Sequence, residues 1–399
     1  MRQEIGVIVK SEFVRTYKEG YPLITKESIV SWDKVSDEGL VLNLLDAKGK
    51  FILKAYHGVQ NKGYGWVLST NRDEKVDTTF FSKIINSAIK YRKDFYSDKS
   101  TTAFRVLNGE GDGLGGLTID YFDGYYLLTW YSLGIYEFKA EILEALKKSV
   151  EYKGIYQKKR FDSKGKYLNE KDDFICGDKA DSPIIVKENE VNFAIYLDDG
   201  AMVGVFLDQR DVRKTIRDKY TKEKTVLNTF SYTGAFSVAA ALGGASKTTS
   251  VDLAKRSLRK TSEQFEVNNI DVKRQDIIVE DVFNYFKYAV KKGLSFDLVV
   301  LDPPSFARSK KRTFSASKDY VNLLKEAIQI TKKGGIIVAS TNSANFSMMT
   351  FSDFIAKAFK ELKGRYEVKE RYSLPKDFRV ADTFKEGDYL KVVFIKKLK

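Results

Sequence analysis

A chain of 399 residues is too long for one ordinary domain and fits two or three. Its 43% hydrophobic content is enough to fill cores and excludes a disordered polymer, while a net charge of +14 points to a polyanionic partner, nucleic acid before an acidic membrane surface. The single His57 and single Cys176 exclude a histidine-based triad, a His/Cys zinc site (hence no metal is expected) and an internal disulfide, and the lone thiol fits a cytoplasmic protein.

Met1–Lys10 lacks the basic flank and apolar core of a secretion signal, and no run is apolar enough to span a bilayer, so no membrane partner is expected. Residues 1–75 alternate short β-like runs (Ile5–Val9, Leu40–Leu45, Phe51–Tyr56) with Gly and Asp turns, which predicts a small β-rich domain. Thr79–Tyr96 has helical spacing, with Phe80, Ile84, Ile85 and Ala88 on one face. A second β-rich stretch starts at Phe104 and contains the glycine-rich Asn108–Gly116. That stretch lacks the Lys-Ser/Thr of a phosphate-binding loop and precedes a strand, so hairpin turns are expected there. Ser132–Lys148 reads as a helix and Asp162–Asp173 as a polar loop, which completes a central α+β domain over 76–190.

From 191 to 399 the period changes. Apolar runs at Thr225–Phe230, Thr249–Asp252, Asp276–Val279, Phe296–Asp302 and Gly335–Ser340 alternate with amphipathic segments. This is the pattern of an α/β domain with a parallel, Rossmann-like sheet covered on both faces. Tyr366–Tyr372 and Tyr389–Lys396 are strand-like and suit an antiparallel edge.

Ligands of such sheets bind outside the carboxyl ends of the strands. The first strand runs into Phe230, Ser231, Tyr232 and Gly234, where the glycine permits a tight turn and close approach to a ligand. Asp252 ends the second strand, where an acid accepts from ribose hydroxyls; Asp281 follows the third, positioned for an adenine amino group; Asp302 ends the fourth. One glycine is too few to cradle a pyrophosphate, so the constellation favours S-adenosylmethionine (SAM) over a nicotinamide dinucleotide. Read singly, Gly234 is also a plain helix cap and Asp252 a solvated strand end.

The sharpest signal is Asp302-Pro303-Pro304-Ser305-Phe306. Two prolines cannot continue a central strand and force an exit at the crevice. Asp302 and the Pro303 and Pro304 carbonyls then face the ligand, and Phe306 is a candidate to stack on an extruded base. The bland alternative is a turn with Phe306 in the core. The run Arg308, Lys310, Lys311, Arg312 follows directly and suits phosphate contact, or else is a solvated loop.

Val205-Phe-Leu-Asp-Gln-Arg210, Asn228–Gly234 and Asp302-Pro-Pro304 resemble the class I SAM-dependent methyltransferases of 23S rRNA that carry an N-terminal PUA domain. The resemblance spans the chain but is weakest over 1–75. It implies a PUA-like RNA-gripping domain at the N-terminus, a homodimer, and a SAM site lined by Arg210, Phe230–Gly234, Asp252, Asp281 and Asp302. Cytosine-5 members of the group place a catalytic cysteine after the fifth strand; this chain reads Ala339-Ser-Thr-Asn-Ser-Ala-Asn-Phe346 there. Carbon-5 of cytosine needs a thiolate at carbon-6 before it attacks, whereas guanine N7 carries a lone pair and no proton to lose. The stretch Asp302–Lys310, with Asn228–Gly234, looks closer to guanine-N7 enzymes, with cytosine-5 and exocyclic-amine (N2-guanine, N6-adenine) chemistry as alternatives. A non-catalytic ribosome-assembly factor would keep the charge and the PUA-like domain but would have no use for acids at three cofactor positions.

Overall fold

The computed structural model describes residues 3–60, 63–163, 166–167, 173–198, 203–308 and 313–399. The chain packs as two compact units, Met1–Val186 with Tyr196–Val203 and Lys376–Gly387, and Lys187–Ile195 with Gly204–Pro375 and Asp388–Lys399.

In the first unit, β1 (Glu4–Ile8), β2 (Leu23–Ile24), β3 (Val41–Leu45), β4 (Phe51–Gln60) and β5 (Gly63–Ser69) form a sheet of order β1-β3-β4-β5-β2. β1 runs parallel to β3 and the remaining pairs are antiparallel. Helix α1 (Ser11–Lys18) was not legible in the sequence: eight residues with only Tyr17 buried give too short a period to register. The stretch expected as one helix, Thr79–Tyr96, is two, α2 (Thr78–Tyr91) and α3 (Lys93–Ser97). The break falls at Arg92, whose guanidinium turns inward to bond both oxygens of Asp112 at 2.7 Å and the Asp377 carbonyl at 2.6 Å.

A second sheet holds β6 (Ala103–Asn108), β7 (Leu117–Phe122), β8 (Tyr125–Trp130), β9 (Gly154–Lys159) and, beyond the small ribbon β10 (Asp162–Ser163) and β11 (Lys166–Tyr167), β12 (Phe174–Gly177). Asn108–Gly116 joins β6 to antiparallel β7, as the hairpin reading requires. Ser132–Lys148 is again two helices, α4 (Leu133–Tyr136) and α5 (Lys139–Ser149). They make the crossover between β8 and parallel β9. Tyr56, Trp66, Phe80, Phe81, Phe104, Trp130, Phe138 and Phe384 lie in one core, so both sheets of this unit and the segment Lys376–Gly387 are stabilised together.

The chain passes into the second unit within the hairpin β13 (Ile184–Glu188) and β14 (Val191–Ile195). Then follow α6 (Arg210–Thr215), β15 (Thr225–Thr229), α7 (Ala235–Leu242), β16 (Lys247–Asp252), α8 (Arg256–Glu266), β17 (Asp276–Val279), α9 (Val282–Lys291) and β18 (Phe296–Leu301). A ribbon of β19 (Phe306–Arg308) and β20 (Thr313–Ser315) leads to α10 (Ala316–Ile330), β21 (Thr331–Thr341), α11 (Met348–Glu361), β22 (Tyr366–Tyr372) and β23 (Lys391–Lys397). The sheet has the order β17-β16-β15-β18-β21-β23-β22, parallel through β21 and antiparallel at β23 and β22. All five predicted parallel strands and both predicted edge strands are present. Apolar side chains cover both faces of the central strands, with Phe286, Leu323 and Ile355 on one side and Val212, Ile216 and Phe236 on the other. No helix among the described residues is long and apolar enough to cross a membrane.

The side chains of Arg92 and Asp112 are 0% and 1% exposed, so removing one charge strands the other in the core. Arg92→Ala should cost about 3–5 kcal/mol of stability, read as an earlier urea transition by tryptophan fluorescence. A loss below about 1 kcal/mol would contradict the buried pairing.

Candidate active site

The strand order reverses between β15 and β18, with β16 and β17 on one side and β21 on the other. A crevice at that switch point is where an open α/β sheet takes its ligand. The loop after β15 is held in a rare backbone conformation: Phe230, Tyr232 and Gly234 have φ of +54°, +51° and +79°. For the two aromatic residues this is a cost of order 1 kcal/mol or more each, which the surroundings must offset. Asp252 does much of this. Its Oδ2 accepts from the Tyr232 N–H at 2.8 Å and its Oδ1 from the Ala254 N–H at 2.8 Å, so one carboxylate pins the loops after β15 and β16. Ser231 N–H donates to the Val251 carbonyl at 3.1 Å, and Thr233 Oγ1 to the Gly204 carbonyl at 2.6 Å.

Gly234 makes the tight turn expected of it and caps α7, and its missing side chain has a second use. A Cβ there would sit 2.5 Å from Thr261 Cγ2 on α8, so the glycine serves its left-handed φ and close helix packing. Ser231 Oγ, beside it, is buried without a hydrogen-bond partner. Such an atom costs stability unless something outside the chain satisfies it. Asp281 caps α9, its Oδ1 accepting from the Phe283 and Asn284 N–H groups at 2.9 and 3.2 Å, both from its own helix.

Asp302 is mostly buried at the end of β18. Gln209 Nε2 donates to its Oδ1 at 3.2 Å and to Ser340 Oγ at 2.7 Å, and Tyr320 OH donates to the Ser340 carbonyl at 2.6 Å. Burial, with Asp208 nearby, pushes the Asp302 carboxyl up to about 6, against the opposing pull of the Ser340 and Gln209 hydrogen bonds and of Arg213. After Asp302, Pro303 is buried and Pro304 exposed. Ser305 Oγ donates to Asn342 Oδ1 at 2.5 Å, tying this loop to the end of β21. Phe306 is 63% exposed, which removes the core alternative for it.

Among the expected residues, Tyr232 is bonded to Asp252 and Gly234 to the Ser231 carbonyl, whereas Asp302 is bonded to Gln209 and Ser340, which were not expected. Arg210 is buried at the start of α6, 4% exposed. Arg308 lies on β19, while Lys310, Lys311 and Arg312 lie outside the described residues. Cys176 is on β12 in the first unit, packed against that unit's core. Sequence reasoning missed Gln209, Ser340 and Asn342, because single uncharged polar residues at strand ends and turns carry no periodic signal. It also missed the pair of Phe206 and Tyr232 rings, centroids 5.4 Å apart.

The profile of the S-adenosylmethionine-dependent methyltransferases matches residues 105–386, and that of a PUA-like domain residues 7–70. The chain belongs to this methyltransferase family, an assignment that covers well over half its length. It is 55% identical over 98% of both chains to a Bacillus subtilis protein with the provisional name ribosomal RNA large subunit methyltransferase YwbD. It is 30% identical, over 96% of both chains, to ribosomal RNA large subunit methyltransferase I of Pseudoalteromonas translucida. Among solved structures, SMU.776, titled as a methyltransferase candidate complexed with SAH, superposes with a TM-score of 0.90 at 37% identity, covering 99% of this chain and all of that one. The cofactor implied is SAM. The residues present fit it: the loop after β15 has no phosphate cradle, acids stand at the ends of β16 and β17, and a buried serine hydroxyl awaits a partner.

The raised Asp302 pKa has a consequence for stability. Its folded value of about 6 lies above the ordinary 3.8, so ionisation is what folding opposes. The cost is absent below about pH 4, grows between the two values and is complete above about pH 6. Asp302→Asn should accordingly stabilise the protein at pH 8 by about 1–3 kcal/mol and leave it nearly unchanged at pH 4. Denaturant titrations at the two pH values check this, and an equal effect at both would refute the buried-carboxylate account.

Proposed function

We propose that the protein transfers the methyl group of SAM to a base of 23S rRNA, and that the atom methylated is guanine N7. The observation that carries the atom assignment is the chemistry available around Asp302: a mostly buried carboxylate, backbone carbonyls after it and an exposed phenylalanine, in a unit without any cysteine or histidine. The names of the relatives support the large-subunit rRNA as substrate.

SAM supplies an electrophilic methyl group on a sulfonium. Ser231, the backbone around Tyr232 and Gly234, Asp252 and Asp281 would hold it, with Arg210 supporting the wall of the site. Asp252 has lone pairs left after its two backbone bonds, and Asp281 keeps Oδ2 clear of its cap.

On the substrate side, a carboxylate is an acceptor only. Guanine offers two adjacent donors on its Watson–Crick edge, N1–H and N2–H, whereas cytosine and adenine put a ring acceptor there. Asp302 therefore selects guanine and leaves N7, on the opposite edge, to face the methyl donor. Phe306 stacks on the extruded base. N7 attacks with its own lone pair, so no residue has to remove a proton. The positive charge that develops on the base is stabilised by the nearby carboxylate. Cytosine-5 methylation would need a thiolate, and Cys176 lies outside this unit. The basic run Arg308–Arg312 is the proposed contact to the RNA backbone.

Two tests separate the parts. Asp252→Ala should weaken SAM binding by about 1–3 kcal/mol, and calorimetry giving wild-type affinity would remove Asp252 from the cofactor site. Cys176→Ser should turn over within about twofold of wild type, and the wild-type protein should form no covalent complex with 5-fluorocytidine RNA. An inactive Cys176→Ser variant, or a trapped complex, would argue for the cytosine-5 alternative.

A further inference from the structure

Gln209 ends the short turn Leu207–Gln209 before α6 and is 3% exposed. Its Nε2 reaches two strands at once, Asp302 Oδ1 beyond β18 at 3.2 Å and Ser340 Oγ on β21 at 2.7 Å. The orientation of the amide follows from its partners, because an ionised carboxylate needs an N–H and would repel the amide oxygen. Oε1 is consequently turned away and is buried with no hydrogen-bond partner. A fold that needed only volume here would be served better by leucine, which buries no unsatisfied acceptor.

We propose that Gln209 is the positioning residue of the methyl-transfer site, presetting the Asp302 carboxylate as the acceptor for the target base; this rests on the base-methylating reading above. Other groups face Asp302 from each packed element. Asp208, whose Oδ2 accepts from Tyr389 OH at 2.9 Å, disfavours its ionised form, and Arg213, held by Glu188 through two 2.7 Å bonds, favours it. Ser340 of β21 bonds it, and Tyr320 of α10 stands close enough for its own hydroxyl to feel the Asp302 charge. Gln209 and Ser340 are the uncharged donors in this set, and Gln209 also bonds Ser340. Removing Gln209 withdraws a bond to the ionised form and changes no net charge.

The test is kcat against pH for the full chain on large-subunit rRNA, with thermal melts and SAH calorimetry on each variant. Gln209→Leu should lower kcat at pH 7 by about tenfold or more and move the acid limb up by about half to one pH unit. Its melting temperature should hold or rise, and its SAH affinity should stay within about twofold. Gln209→Glu keeps the shape but loses the donor when ionised, so it should lose as much activity. Asp302→Asn should abolish the limb, and adding Gln209→Leu to it should cost little more, because the two residues act as one unit. Should Gln209→Leu fail to fold, Gln209→Met keeps the length of the side chain without the donor and should shift the limb in the same direction. An unmoved limb, additive losses in the double variant, or a defect confined to SAH affinity would overturn the assignment. Wild-type protein without transfer to rRNA would overturn the functional reading itself, whereas wild-type turnover with an unmoved limb in Gln209→Leu would overturn only the role of Gln209.

Discussion

Much of the catalytic unit answers to one requirement: a carboxylate must be held, ionised and mostly buried, at the end of a central parallel strand. Burial opposes the charge of Asp302 and lifts its carboxyl to about 6. The surroundings return enough to keep it mainly ionised at neutral pH. Gln209, Ser340 and Tyr320 come from a turn, a strand and a helix that are distant in sequence, yet they meet within hydrogen-bond distance of one another or of Asp302. The two prolines that follow release the chain from the sheet at that point, since neither has an N–H for the ladder. The loop carrying Phe306 is tied instead to Asn342. A destabilising group kept in place by so many partners is the usual signature of a functional site.

The loop after β15 solves a different problem. Three left-handed residues in the loop after β15 make a tight turn without the glycines that a pyrophosphate would require. The strain is offset by Asp252, which serves two loops with one side chain. Asp252 is thus both scaffold and proposed ligand contact. Weaker binding in its absence would combine a lost acceptor with a loosened loop, and the two effects are not additive parts.

The architecture of the second unit was legible because each of its strands is a short apolar run followed by an amphipathic helix, and because Asp252, Asp281 and Asp302 fall where those runs stop. Periodicity reports which side chains face a core, and that is what a parallel sheet needs. It does not report which polar side chains meet across strands. Gln209 and Ser340 stood within Val205–Arg210 and Ala339–Phe346 without roles of their own for that reason, and the packing of the Gly234 backbone against Thr261 was hidden too. In the first unit, two expected helices were broken at Arg92 and after Tyr136. At Arg92 an inward-turning charge, paired with Asp112 far along the chain, overrode a continuous local pattern. The packing of Lys376–Gly387 in the first unit was equally hidden, since nothing in a short polar stretch marks where it will dock.

The central proposal is the identity of the methylated atom, and it rests on the reading that Asp302 selects guanine in a unit without a thiol. The direct measurement is mass spectrometry of nucleosides from 23S rRNA incubated with the purified protein and SAM carrying a deuterated methyl group. The account predicts the label in 7-methylguanosine. Label in 5-methylcytidine, or in an N2-methylguanosine or N6-methyladenosine, would contradict it.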